Sequence, residues 1–217
     1  TPSGFVYIVM EYLRGRDLAR IVAQDGLLSL SRSVSIVRQV LAVLDEAHHL
    51  DVIHRDLKPE NIFLVDSSRT GRDFVKVVDF GLATVLDDPA FRGLSDTGRV
   101  CGTPEYMPPE RGRGLPSDAR SDLYSVGVLL FQLLTGRLPF DGPTAMSIVL
   151  KHITDDIPDP IAIAPHREIP EALAQITTRA LAKSPSDRFC SAREMSLALE
   201  EISFSASAAP RSGPRSQ

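Results

Sequence analysis

Cysteine is scarce in this chain. Cys101 and Cys190 are the only two in 217 residues, and no Cys-x-x-Cys pair occurs. That rules out a disulfide framework and suits a reducing compartment. Excess positive charge is also missing. The formal net charge is -4, so no overall basic field argues for nucleic acid, and no nucleic-acid partner is expected. No apolar run reaches the roughly 20 residues of a membrane span, and no signal-peptide pattern opens the chain. A cytoplasmic setting is therefore expected, with anchoring beyond Gln217 left open. An initiator Met is absent too. Thr1-Pro2-Ser3-Gly4 leads straight into Phe5-Val6-Tyr7-Ile8-Val9-Met10. A chain that enters a core strand this early reads as part of a longer polypeptide.

What is present is ordinary in bulk and specific in detail. The apolar fraction is 43% and the charged fraction 24%. Both fit one globular domain, or one domain plus a tail. The informative stretch is His54-Arg55-Asp56-Leu57-Lys58-Pro59-Glu60-Asn61. An Asp and an Asn five residues apart can project from one tight loop toward a phosphate. The Asp can take or orient the proton of an attacking hydroxyl, and the Asn amide oxygen can ligate Mg²⁺. Asp79-Phe80-Gly81 follows 18 residues after Asn61 and supplies a second carboxylate suited to Mg²⁺. Between them, Ile62–Val65 and Phe74–Val78 read as two strands of a hairpin around the polar segment 66–72. Such a hairpin puts Asn61 at its entry and Asp79 at its exit. The third stretch is Cys101-Gly102-Thr103-Pro104-Glu105-Tyr106-Met107-Pro108-Pro109-Glu110.

These three stretches, in this order, resemble the C-terminal lobe of a protein kinase. The Leu57-Lys58-Pro59-Glu60-Asn61 wording resembles the Ser/Thr type. Gly136-Arg137-Leu138-Pro139-Phe140-Asp141-Gly142 and the linker-like tail look like bacterial Ser/Thr kinases. The resemblance implies a mainly α fold: a helical lobe with short β-hairpins at the cleft, and the smaller lobe absent except for its last strand. It implies ATP and Mg²⁺ as cofactors, with protein Ser/Thr hydroxyls as substrate. Catalytic roles fall on Asp56, Lys58 and Asn61, and metal ligation on Asn61 and Asp79. Met10 would be the gatekeeper. The Glu11 and Leu13 backbone would bond adenine, the Asp17 carboxylate would lie near the ribose, and Phe63 would floor the adenine. Ser95 and Thr97 are candidate autophosphorylation sites whose phosphate could pair with Arg55. Thr103 would face the acceptor and bridge to Asp56 and Lys58. Glu110, in Pro-Pro-Glu where the family has Ala-Pro-Glu, would pair with Arg188. Asp122 would hold the catalytic-loop backbone.

The remaining pattern is helical. Helices are expected at 16–24, 31–50, 119–135, 143–152, 170–182 and 191–203, with an irregular Pro-rich stretch at 157–170. His54, beside Val52 and Ile53, reads as a packed, hydrogen-bonded residue rather than a base. The domain is expected to run over 1–203, followed by a flexible Ser/Ala/Pro-rich tail at 204–217.

A kinase also uses a Gly-rich lid and a strand Lys paired with a helix Glu. No G-x-G-x-x-G occurs here, and no Val-Ala-Ile-Lys-like strand precedes Glu11. The 217 residues alone are therefore expected to bind ATP-Mg weakly and to transfer phosphate poorly. The residues also admit two rival readings. One is a binding module, pseudokinase-like or truncated. The other is a small-molecule phosphotransferase, which would lack the Gly-Thr-Pro-Glu-Tyr platform.

Overall fold

A computed structural model describes residues 11–65, 73–80 and 103–202. The strand expected at 5–10, with Met10, lies outside the described residues. So do Ser95, Thr97 and the tail.

A short strand, β1 (Gly15–Asp17), opens the described chain and runs directly into α1 (Leu18–Asp25). The expected helix at 16–24 therefore starts two residues late. Asp17 is its N-cap, and the capping carboxylate accepts from Arg20 N at 2.8 Å. Helix α2 (Leu30–His49) is capped by Ser29, which accepts from Arg32 N. It buries one stripe: Val34, Val37, Val40, Leu41 and Leu44. It ends in a Schellman turn. Val52 N bonds Ala47 O, Asp51 N bonds His48 O, and Asp51 takes the left-handed position at φ 57°. That turn redirects the chain into the 54–61 loop.

The hairpin is found where expected, as β2 (Ile62–Val65) and β3 (Phe74–Val77). The sheet order is β1-β2-β3, antiparallel throughout, with Asp17 opposite Phe63 and Phe63 opposite Lys76. After a one-turn helix, α3 (Pro109–Gly112), comes α4 (Ala119–Thr135). Every residue of α4 from Ser121 to Phe131 is buried, so it is the axle of the lobe. Gly127 is required at its crossing with a later helix, since a Cβ there would lie 2.9 Å from Ala180 Cβ. Gly136, at φ 76°, ends α4.

The last helices are α5 (Ala145–Thr154), the one-turn α6 (Pro160–Ile163), α7 (Glu171–Ala180) and α8 (Ala192–Glu200). The stretch at 157–170 is thus less irregular than its proline content suggests. Asp159 caps α6, and Pro160 at its first position needs no N–H partner. Among the described residues no helix is long and apolar enough to cross a membrane.

Candidate active site

The site begins with a buried carboxylate. Asp122, 1% exposed in the first turn of α4, holds the 54–61 loop by its backbone. Its Oδ2 accepts from His54 N at 2.8 Å and from His48 Nε2 at 2.8 Å, and its Oδ1 accepts from Arg55 N at 2.9 Å. Arg55 sits at φ 68°, a left-handed conformation that a non-glycine residue keeps only where its surroundings fix it. Its carbonyl accepts from an Arg111 guanidinium nitrogen.

His54 is fully buried and acts as a spacer. Asp56 N donates to its Nδ1 at 3.3 Å. The proton therefore sits on Nε2, which donates to Val78 O at 2.9 Å. Its ring packs on Phe80 with centroids 4.6 Å apart. Its N–H and both ring nitrogens are thus occupied in structure.

Beyond His54 the functional side chains converge. Lys58 Nζ lies 2.9 Å from Asp56 Oδ2 and donates to Thr103 Oγ1, also at 2.9 Å. The structure gives the expected bridge through Lys58, linking loop to platform. Asn61 is buried, and its amide nitrogen donates to Asp56 O at 2.8 Å. Asn61 O accepts from Val78 N at 2.9 Å, so the residue before Asp79 is tied to Asn61. Asp79 is exposed and left-handed at φ 63°, a region that Asp tolerates better than most residues. The hairpin thus brings the two expected metal ligands together.

A cleft of about 1000 Å³ lies along this sheet, lined by residues that include Glu11, Leu13, Phe63, Val77 and Asp79. Three of the four expected nucleotide contacts line it. The fourth, Asp17, does not. Its carboxylate is committed to Arg20 through the cap and an ion pair with Nε at 3.1 Å. Lys76 reaches across the cleft wall to pair with Glu11.

The platform, which includes a 3-10 turn at Pro104–Tyr106 and then α3, is clamped from below. Glu110 and Arg188 make two parallel bonds of 2.8 and 2.7 Å, and Ser121 Oγ donates to Glu110 Oε1 at 2.6 Å. Arg188 also donates to the carbonyls of Ala182, Arg120 and Lys183, so all five of its N–H groups are used. Burial alone would raise the Glu110 carboxyl. The bonds from Arg188 and Ser121 and the Arg188 charge outweigh it and hold the group below the usual carboxylate range. Nearby, His152 is fully buried between Tyr124 and Phe140, and bonds the Tyr124 hydroxyl at 2.8 Å. Burial, with the adjacent Lys183 charge, pushes its pKa down to about 4.

Comparison with known proteins agrees with this geometry. A family model described as protein kinase domain matches residues 2–198. The chain belongs to the protein kinase family. Among curated relatives, this kinase chain is 47% identical over 204 residues to the serine/threonine-protein kinase pkn3 of Myxococcus xanthus, covering 92% of this chain and 37% of that one. It is 40% identical to a probable serine/threonine-protein kinase PknB of Lactococcus lactis, covering 87% and 28%. The chain therefore spans about a third of the length of the curated relatives it matches. Among solved structures it is similar to the Mycobacterium tuberculosis PknI kinase domain, with a TM-score of 0.66, 27% identity, and 88% and 64% of the two chains covered. It is also similar to Rad53 1–466 in complex with AMP-PNP, with a TM-score of 0.67, 28% identity, and 86% and 44% covered. The mainly α, kinase-like larger lobe expected from the sequence is thus the fold found.

Several contacts of the lobe have no signal in the sequence. His48, at the end of α2, joins the Asp122 anchor. Arg111 reaches the Arg55 carbonyl, and Gln39 reaches the hairpin. A polar residue in a helix reads as solvent-facing unless its partner, here dozens of residues away, is known.

Proposed function

We propose that this lobe carries the catalytic half of an ATP-dependent protein Ser/Thr kinase. The observation that carries the reading is the Asp122-held loop. It sets Asp56 beside Lys58, which in turn bonds Thr103, and ties Asn61 to the residue preceding Asp79. Asp56 accepts the proton of a Ser or Thr hydroxyl as that oxygen attacks the γ-phosphorus and the bond to the ADP oxygen breaks. Lys58 stays within reach of the transferred group, and Thr103 positions the acceptor chain. Asn61 Oδ1 and the Asp79 carboxylate form an all-oxygen pair. That suits Mg²⁺, which takes one or two protein ligands plus phosphates. Bound there, Mg²⁺ would neutralise charge on the phosphate oxygens. Phe63, Leu13 and the Glu11 backbone would hold adenine, and a ribose hydroxyl would share Asp17 with Arg20. Ser95 or Thr97 would take an activating phosphate. The intact catalytic set favours an enzyme over a binding module.

The test is transfer of labelled phosphate from ATP to Ser/Thr substrates by the native polypeptide. Asp56→Asn is expected to lower kcat by about 10²–10⁴-fold, and Asn61→Ala or Asp79→Ala should abolish Mg²⁺-dependent turnover. The 217-residue chain assayed alone is expected to transfer little. Full activity in Asp56→Asn and Asp79→Ala would overturn the assignment.

A further inference from the structure

Among the described residues, strand β3 pairs with β2 alone. Its pairing with β2, continued by Val78 N on Asn61 O, leaves the N–H of Val75 and the carbonyl of Asp73 facing away from β2. Those two groups are not left to water. The side chain of Gln39, on α2, takes both. Its Oε1 accepts from Val75 N at 3.1 Å, and its Nε2 donates to Asp73 O at 3.2 Å. One carboxamide thus does for the outer edge of β3 what another strand would do. Two turns earlier on the same face of α2, Arg32 grips the Asp73 carboxylate with bonds of 2.7 and 3.0 Å. The start of β3 is therefore bolted to α2, and its end is fixed by His54 and Asn61. Asp79 follows directly.

We propose that Gln39 is a positioning residue for the metal site. Its carboxamide locks the backbone of β3, so that the strand delivers Asp79 beside Asn61. This rests on the reading of Asn61 and Asp79 as Mg²⁺ ligands, and Gln39 acts only through them. The carboxamide is needed whole. Glutamate keeps the acceptor for Val75 N–H but turns an oxygen toward the Asp73 carbonyl, so Gln39→Glu should behave like Gln39→Ala.

The experiment measures binding of an ATP analogue by the native polypeptide while Mg²⁺ is varied. Groups bonded directly to metal ligands change metal affinity by about 10–100-fold when lost, and Gln39, one step further out, is placed at the low end. Gln39→Ala and Gln39→Glu are accordingly expected to raise the half-saturating Mg²⁺ concentration about tenfold, leaving metal-free nucleotide binding unchanged. Arg38→Ala is the control. Arg38 is the residue before Gln39 on α2; its substitution breaks an ion pair with Glu200 of α8 and should leave the Mg²⁺ dependence alone. Unchanged Mg²⁺ dependence in both Gln39 variants, with only thermal stability lowered, overturns the proposal. If Asp79→Ala also leaves Mg²⁺ dependence unchanged, the metal-site reading fails and this inference falls with it. Amide hydrogen exchange gives a readout free of nucleotide. In Gln39→Ala, loss of protection should spread from the Val75 amide to that of Val78. Loss confined to Val75 would refute the lock.

Discussion

Replacing Arg188 by Leu should be among the most damaging single changes in this lobe, and its cost can be worked from the contacts. Arg188 is 3% exposed, and all five of its N–H groups are bonded: two to Glu110 and three to main-chain carbonyls. Leucine fills part of the space and bonds nothing. Glu110, 4% exposed, would keep the Ser121 hydroxyl and lose its cation. Breaking a buried pair from one side costs about 3–5 kcal/mol. In a chain of this length that is a fall in Tm of about 6–20 °C. Urea denaturation of the variant and the parent measures it. A double variant, Arg188→Leu with Glu110→Gln, removes the stranded charge. It should lose less than the sum of the singles, by about 0.5–3 kcal/mol. The pH dependence gives a second check. In the parent, Glu110 titrates below its unfolded value, so its contribution is complete above about pH 4.5 and is lost as pH falls through the folded value. Without Arg188, burial is opposed only by the Ser121 hydroxyl and a main-chain bond, so the group is expected to rise and the variant to lose stability as pH rises. The stability gap must therefore widen from about pH 4 to pH 7. A gap under about 1 kcal/mol, or one that ignores pH, would refute this account of a buried and fully satisfied pair.

Two further outcomes follow from the same geometry. His152 is held neutral with its pKa near 4, whereas the unfolded chain takes up a proton near pH 6.5. Stability should thus fall as pH drops from about 6.5 to about 4, and His152→Gln should flatten that part of a Tm-against-pH curve; an unaltered slope would count against it. Asp122→Asn puts an amide N–H where a carboxylate oxygen now accepts. It should cost about 1–3 kcal/mol in thermal unfolding and lower kcat more than it raises KM for ATP, since the loop and not the cleft is disturbed; an unchanged kcat would exclude the anchoring role.

The parts of this site legible in the sequence are those whose geometry is local. The run from His54 to Asn61 forms one loop. The strands at 62–65 and 74–77 pair in a register that places Asn61 against Val78, so the proposed metal ligands, 18 residues apart in sequence, are brought to one end of the hairpin by its register. The all-round apolar run at 119–135 could only be a buried helix. Legibility failed where tertiary contacts decide. β1 is three residues, Gly15-Arg16-Asp17, with no apolar alternation, and it exists because β2 offers it an edge. Its pairing also draws Asp17 out of the expected helix and makes it a cap bonded to Arg20. The short helix at Pro160–Ile163 was hidden by the proline content around it, although Asp159 before Pro160 is a start signal. Gln39 and His48 show no anomaly in α2 until the hairpin and α4 are in place.

Helix α4 explains why the two halves of the site stay in register. Ser121, Ser125 and Gln132 lie along one face of it at helical spacing. They bond Glu110, the Tyr106 carbonyl and the Tyr106 hydroxyl, at 2.6, 2.8 and 2.6 Å. That face holds the acceptor platform. Asp122, one residue on, turns to the other side and holds the 54–61 loop. The residue pair 121–122 thus sends the platform and the loop to a single helical turn. Its N-terminal dipole also favours the buried Asp122 carboxylate. Direct contacts close the circuit, Arg111 to the Arg55 carbonyl and Lys58 to Thr103. A reference frame of this kind must itself be rigid. A helix with one face open to water could rock about its exposed side, whereas α4 is packed on every face from Ser121 to Phe131. The same burial that makes α4 the core of the lobe is what lets it set distances at the active site.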